Sequence, residues 1–257
     1  MNILLVNDDG IEARGLAILA EVMKAHGRLF VVAPHSQQSA IGHGITIHDP
    51  IRLHRRDEVF PDPAVEAWSL EAKPADCVKF ALYGLNLPVD LVVSGINDGP
   101  NMGTDIIYSG TLAGASEGII CGKPAIAVSC DFGGFALPER ELAGLMDTIL
   151  GSDVLSPDNV ININFPQRRF EKSLGVQICD MGKRPFIHDF VQIDDVYWAK
   201  GTWDKYDNPP GSDVWAYENG YVAITPIQIN RTNYDYMDRL KACFTGDAVQ
   251  ARTDSSN

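Results

Sequence analysis

Residues 3–6, Ile3-Leu4-Leu5-Val6, form an unbroken run of branched apolar side chains that stops abruptly at Asn7-Asp8-Asp9-Gly10. A strand apolar at every position is buried on both faces, which is the situation of a parallel sheet covered by helices. Such a sheet commits the chain to an α/β architecture, because parallel neighbours need long crossover connections. It also says where function belongs: ligands of open α/β sheets bind beyond the carboxyl ends of the strands.

Asp8 and Asp9 stand at that position. Adjacent carboxylates repel one another, and a cation or a proton relieves the repulsion. Oxygen-rich sites of this kind suit magnesium, manganese or calcium. The bland alternative is turn chemistry, in which Asn-Asp-Asp-Gly bends the chain and an aspartate caps the next helix.

The rest of the chain repeats the strand–helix alternation. Leu16, Leu19, Ala20 and Met23 have helical spacing, with Gly27 as a stop, and 29–33 reads as a second buried strand closed by Pro34. Together they make one right-handed βαβ unit, which brings the loop 35–44 beside Asp8 and Asp9. Residues 45–73 are broken by prolines and read as short antiparallel strands at a sheet edge. Pro74 and Gly84 bracket a helix. Buried strands are expected at 89–94, 125–129 and 160–164, with helices at 109–121 and 139–151. The result is a doubly wound, mostly parallel sheet.

From about residue 185 the sequence becomes aromatic and turn-rich. Asn219-Gly220 between apolar runs is a hairpin signal, and 232–244 has the spacing of a C-terminal helix. The tail 245–257 is expected to fray. The division expected is 1–184 as the catalytic core and 185–257 as a hairpin-and-tail arm, which packs on a partner subunit or covers its own core.

The second chemistry-bearing stretch is 94–118, which holds six glycines in 25 residues. Glycine lets a ligand approach the backbone, and a glycine-rich loop opening into a helix presents free N–H groups to a phosphate. Ser109 and Thr111 add hydroxyl donors around Gly110, and Asn101 is placed to assist the phosphoryl oxygens. Taken alone, Ser109 is an N-cap; the whole stretch favours phosphate binding. Metal ligation combines Asp8 and Asp9 with neutral oxygens from neighbouring strand ends, of which Ser39 and Asn97 are best placed. A water acidified there can attack phosphorus.

Other chemistries lack their residues. No P-loop, no dinucleotide-binding fingerprint after the first strand, no zinc-binding cluster and no serine-hydrolase elbow is present. A receiver-type signalling module would need an acceptor aspartate ending a later strand, and the strand after Asp90 ends in Ser94. An aspartyl-phosphate mechanism would use an Asp-x-Asp pair, also missing here. His43 is the one histidine near the site to consider as a general acid or base. The net charge of −13 argues against binding a nucleic-acid duplex. Five scattered cysteines, with no leader and no membrane-spanning run, point to reduced thiols in a cytoplasmic protein.

These motifs closely resemble the SurE family of metal-dependent nucleotidases. The resemblance rests on 3–10, on Val32-Ala33-Pro34 through Gln38-Ser39, and on Gly42-His43-Gly44-Ile45-Thr46. It continues in Pro74-Ala75-Asp76-Cys77-Val78-Lys79, in Ser94-Gly95-Ile96-Asn97 through Asn101 and Gly103, in Tyr108-Ser109-Gly110-Thr111, and in Gly220-Tyr221-Val222 to Thr225-Pro226. It implies a three-layer, Rossmann-like core whose C-terminal arm is exchanged in a homodimer or homotetramer. It implies hydrolysis of nucleoside 5′- and 3′-monophosphates, and of short polyphosphate. The family's metal ligands fall on Asp8, Asp9, Ser39 and Asn97, and its phosphate-contacting turn on Ser109, Gly110 and Thr111. The chain departs from the family between 183 and 201. Here 189–196 replaces a glycine- and arginine-bearing segment before Tyr197-Trp198, a change that bears on substrate preference rather than on the metal site.

Overall fold

A computed structural model describes residues 1–203 and 206–244; the expected fraying of 245–257 lies outside the described residues. The central sheet has nine strands. In chain order they are β1 (Asn2–Val6), β2 (Arg28–Pro34), β3 (Leu53–Arg55), β4 (Val65–Leu70), β5 (Leu91–Asp98), β6 (Ala125–Cys130), β7 (Val160–Asn164), β8 (Val176–Ile178) and, after a separate hairpin, β11 (Val222–Ile227). Their spatial order is β3-β4-β2-β1-β5-β6-β7-β11-β8. β4, β2, β1, β5, β6 and β7 run parallel, while β3 and β11 are antiparallel to β4 and β7.

Helices cover both faces. Along β1, Ile3 and Leu5 pack in the layer containing α1 (Arg14–Met23) and α4 (Ala136–Leu150), whereas Leu4 and Val6 pack with α2 (Pro74–Lys79) and α3 (Gly110–Ile120). Full burial on alternate sides is why the strand carries no polar residue from Ile3 to Val6. α1 buries Leu16, Leu19, Ala20 and Met23 as its spacing requires. Three cysteines are buried, and all five are free thiols.

Two local expectations need correction. The stretch at 67–70 is not an edge strand, because β4 pairs parallel with β2 and the short β3 forms the edge. The prolines at 50, 61 and 63 break only the segments around it. Asn219-Gly220 is not a hairpin turn. It ends α5 (Asp213–Glu218), with Asn219 as C-cap and Gly220 at φ +90°, and leads into β11. An Asn-Gly pair serves helix termination as well as strand reversal, because both need a left-handed residue. The hairpin is instead β9 (Phe186–Ile193) with β10 (Val196–Trp203), turning at Asp194, φ +57°.

Contacts divide the chain into two compact units, Met1–Ile227 and Gln228–Asn257. The second contains α6 (Tyr234–Phe244), an amphipathic helix with no buried residue.

Candidate active site

The carboxyl ends of β1, β2 and β5 open into one cavity of about 460 Å³. Asp8, Asp9, Ser39, Asn97, Asn101 and Ser109 all line it. Residues as far apart in the chain as Asp8 and Ser109 are therefore brought to one rim, as the strand-end rule requires.

The turn after β1 is self-braced. The Asn7 side chain donates to Gly10 O (2.9 Å) and accepts from Gly10 N (3.2 Å), and Gly10 takes φ +103°. This projects Asp8 inward, where it is buried, and leaves Asp9 half-buried. The loop after β2 is tied to the same turn by Gln38 N donating to Asp8 O at 2.7 Å, which places Ser39 at the cavity. Asp9 accepts from Gln37 Nε2 (3.3 Å) and from Asp98 N (3.2 Å). Asn97 donates its amide N–H to Gly99 O at 2.7 Å, which orients its carbonyl end as the available oxygen.

Burial pushes the Asp8 carboxyl up to about 6; the neighbouring Asp9 charge adds to this, and the hydrogen bond from Thr111 opposes it. Asp9 is also raised, first by burial and then by Asp98, against the lowering effect of the Asp98 amide. Both carboxylates therefore sit in a field that favours an added positive charge.

The glycine-rich stretch behaves in two ways. Ser109 lines the cavity and also caps α3, accepting from Leu112 N at 3.0 Å, so both readings of it hold together. Gly110 and Thr111 lie behind Asp8. Thr111 is fully buried and donates to Asp8 Oδ1 at 2.5 Å. A Cβ on Gly110 would meet Asp8 Cβ at 2.6 Å. These two residues set the position of the carboxylate.

Asn101 is held from β6 and β7. Its N–H donates to Asn164 Oδ1 (2.8 Å), and its carbonyl accepts from Asn162 and Asn164, both at 2.9 Å. Its own amide reaches Ser129 Oγ (2.9 Å) and Thr111 Oγ1 (3.3 Å). A chain of hydrogen bonds thus runs from β7 to Asp8. Sequence reasoning missed Asn162 and Asn164 as supports, although their signal is visible: two asparagines alternate within a strand that is otherwise apolar. It also missed Asp213, whose carboxylate accepts from Gly103 N (2.9 Å) and Gly182 N (2.7 Å) and so anchors the loop after Asn101.

His43 is not among the residues lining the cavity. It pairs with the buried Glu117 at 2.8 Å, and Lys79 pairs with the same carboxylate at 3.0 Å. Burial would raise Glu117, but these two partners outweigh it and the carboxyl is lowered. Asp76 serves the same region, accepting from Thr46 N and Thr46 Oγ1 and from Lys73 N. The Pro-Ala-Asp-Cys-Val-Lys motif thereby fixes the loop that ends at Thr46.

Fold and site together define a class: a Rossmann-like α/β protein in which paired carboxylates face a glycine-rich helix start across a strand-end cavity. The chain belongs to the SurE family, whose model, described as survival protein SurE, matches residues 3–188. A protein named 5′-nucleotidase SurE from Carboxydothermus hydrogenoformans is 41% identical over 255 residues, covering 94% of this chain and 95% of its own. One of the same name from Pelotomaculum thermopropionicum is 39% identical over 251 residues, covering 94% of each chain. The crystal structure of SurE from Aquifex aeolicus matches with a TM-score of 0.78 at 35% identity, over 95% of this chain and 99% of that one. The family expected from the motifs is the family found.

Proposed function

We propose that this protein is a divalent-metal-dependent nucleotidase that releases phosphate from nucleoside 5′-monophosphates, and also from 3′-monophosphates and short polyphosphate. The name its relatives carry supports the 5′-nucleotidase part. The observation that carries the metal part is the charge of the cavity. Asp8, Asp9, Asp98 and Asp105 line it, and no lysine or arginine is among its described lining residues. Arg184 pairs with Asp105 at 2.7 Å, and Gly133 N donates to Asp98 at 2.6 Å, but Asp8 and Asp9 have only neutral donors. A phosphate dianion entering this field is repelled until a cation offsets it.

The donor set fits such a cation. Among the described residues no three of His, Cys, Asp and Glu form a metal cluster, so neutral oxygens complete the set: Asp8 and Asp9 with Ser39 and Asn97. Magnesium or manganese suits these hard ligands, with calcium as a substitute. When bound, the metal supplies charge neutralisation at the phosphoryl oxygens and lowers the pKa of water. The chain's own residues do the rest. Ser109 Oγ–H and the free N–H groups at the start of α3 hold phosphate oxygens, with Asn101 beside them. Thr111 and Gly110 hold Asp8 in place. The working form is a cytoplasmic homodimer or homotetramer joined through the arm expected at 185–257, apart from β11, which belongs to this chain's own sheet.

The test is phosphate release from a panel of nucleoside monophosphates after chelation, followed by addition of magnesium, manganese or calcium. Activity is expected to vanish on chelation and to return with the metal. Full release that persists in chelated protein overturns the metal reading, and no release from any nucleotide with any metal overturns the nucleotidase reading.

A further inference from the structure

The cavity that holds Asp8 and Asp9 also has an aromatic wall formed by Phe132, Phe186 and Trp203. All three rings are substantially exposed, at 51%, 36% and 41%. They are nevertheless organised. Phe186 and Trp203 are paired residues at the open end of the β9–β10 hairpin, with ring centroids 5.3 Å apart, edge to face. Phe132 comes from the loop after β6 and lies 6.3 Å from Trp203. The indole is held on its polar edge by Asp105, which accepts from Nε1 at 3.1 Å, and the Arg184 guanidinium lies 4.2 Å over its ring. Arg184 in turn pairs with Asp105 at 2.7 Å. An exposed tryptophan fixed by a hydrogen bond and a cation contact is a preformed surface rather than a loose side chain.

The wall is also registered to the metal end of the cavity. Gly99, whose carbonyl orients the Asn97 amide, lies directly under the Phe132 ring; a Cβ there would meet Phe132 Cε1 at 2.6 Å. The distance from Asn97 to the Phe132 ring is therefore set by one tight loop. A ligand spanning the cavity presents an anionic group at one end and a planar apolar group at the other. Stacking on exposed aromatic rings is the general way proteins take up a base without reading its edge.

We infer that Trp203, supported by Phe132 and Phe186, recognises the nucleobase, so that this cavity selects phosphomonoesters bearing a planar base over those with an aliphatic leaving group. The inference rests on the nucleotidase reading and deepens it. It assigns substrate selection to the open end of the β9–β10 hairpin, where Phe186 lies within the stretch that departs from the family pattern and Trp203 just beyond it.

The experiment compares kcat/KM for adenosine 5′-monophosphate and ribose 5-phosphate in wild type, Trp203→Ala and Trp203→Phe, with melting temperature as the check on folding. Wild type should prefer the nucleotide. In Trp203→Ala that preference should fall about tenfold, mainly through a higher KM for the nucleotide. Trp203→Phe should keep part of it, since it retains an aromatic face while losing the N–H and some of the indole's area. An unchanged preference in Trp203→Ala overturns the inference while leaving the nucleotidase reading intact. So does a Trp203→Phe protein as poor as Trp203→Ala, which would mean that an aromatic face at this position does not carry the preference. Wild type that hydrolyses neither ester overturns both readings together.

Discussion

Thr111 Oγ1 donates a 2.5 Å hydrogen bond to Asp8 Oδ1, joining the first turn of α3 to the end of β1 across 103 residues of sequence. The same hydroxyl accepts from Asn101. A residue expected to touch phosphate thus acts on the carboxylate that faces it. Thr111→Val keeps the shape and removes the donor. A lost hydrogen bond to a buried charged group costs about 1–3 kcal/mol. Because that bond lowers the Asp8 pKa, its loss should move the acid limb of the pH–rate profile to higher pH. A profile superimposable on wild type would deny Thr111 this role.

The raised Asp8 also makes metal-free stability depend on pH. Burial is the main reason it titrates at about 6 rather than 3.8. A carboxyl raised in the folded state retains a proton that the unfolded chain has released. The contribution of this group to the stability of the metal-free protein should therefore be full below about pH 3.8 and be lost as pH rises to about 6. The change is bounded by about 3 kcal/mol. A divalent cation stabilises the ionised form, so its effect on Tm should be larger at pH 8 than at pH 5. Calorimetric melts at both values, with and without manganese, decide the matter; equal shifts would separate Asp8 from the metal.

Asp8→Asn removes the charge and keeps the size. The Thr111 hydrogen bond can still be accepted by the amide oxygen, so the fold should survive, and relief of a buried carboxylate should if anything raise metal-free stability. Phosphate release should fall by about 10²–10³ or more, as for the loss of a preorganised electrostatic group. The Tm gain from metal should shrink in parallel. Full activity in this variant would remove Asp8 from the site.

How much of this was legible in the sequence depends on whether the signal was local. The apolar run ending in Asp8 and Asp9 specified both a buried parallel strand and its functional end, because each depends on neighbouring residues alone. Ser39 and Asn97 followed from the βαβ logic that brings successive strand ends together. The supporting groups were harder to see. Asn162 and Asn164 touch Asn101 across more than sixty residues, and only the register of β7 against β6 reveals that contact. Trp203 and Phe186 reach the cavity because a hairpin whose second strand is exposed throughout returns to it, and no periodicity in the sequence encodes where a hairpin lies. Asn219-Gly220 misled because one dipeptide supplies the same left-handed residue to a helix end and to a tight turn.

Asn164 holds both backbone polar groups of Asn101, accepting at 2.8 Å and donating at 2.9 Å. Asn164→Ala removes both bonds in a site with no exposure. Two buried backbone groups then lose a partner, although Asn162 still serves the carbonyl. A destabilisation of about 1–3 kcal/mol is expected from denaturant unfolding. Activity should fall as well, since Asn101 lines the cavity, and the loss should appear mainly in kcat. Wild-type stability would show that the loop is fixed from elsewhere, with Asp213 at Gly103 as the first place to look.

Gly110→Ala sets two effects of opposite sign against each other. Alanine favours helix over glycine by about 1 kcal/mol in a helix interior, and less at the first residue of α3. Against this, the new methyl would lie 2.6 Å from Asp8 Cβ and 2.8 Å from Asp8 Oδ2. Asp8 cannot simply turn away, because Thr111 from the same helix turn holds one of its oxygens. Either α3 moves off the sheet or the carboxylate leaves its position. Overpacking of this kind costs about 1–3 kcal/mol, so the steric effect should win. The variant should unfold at lower denaturant, and its Tm should respond to manganese only at concentrations at least about tenfold higher. The two readouts separate the outcomes. Lower stability with normal metal response would mean that the helix yields and the carboxylate stays. A variant at least as stable as wild type, with the same metal response, would mean that Gly110 is not what seats Asp8 against α3.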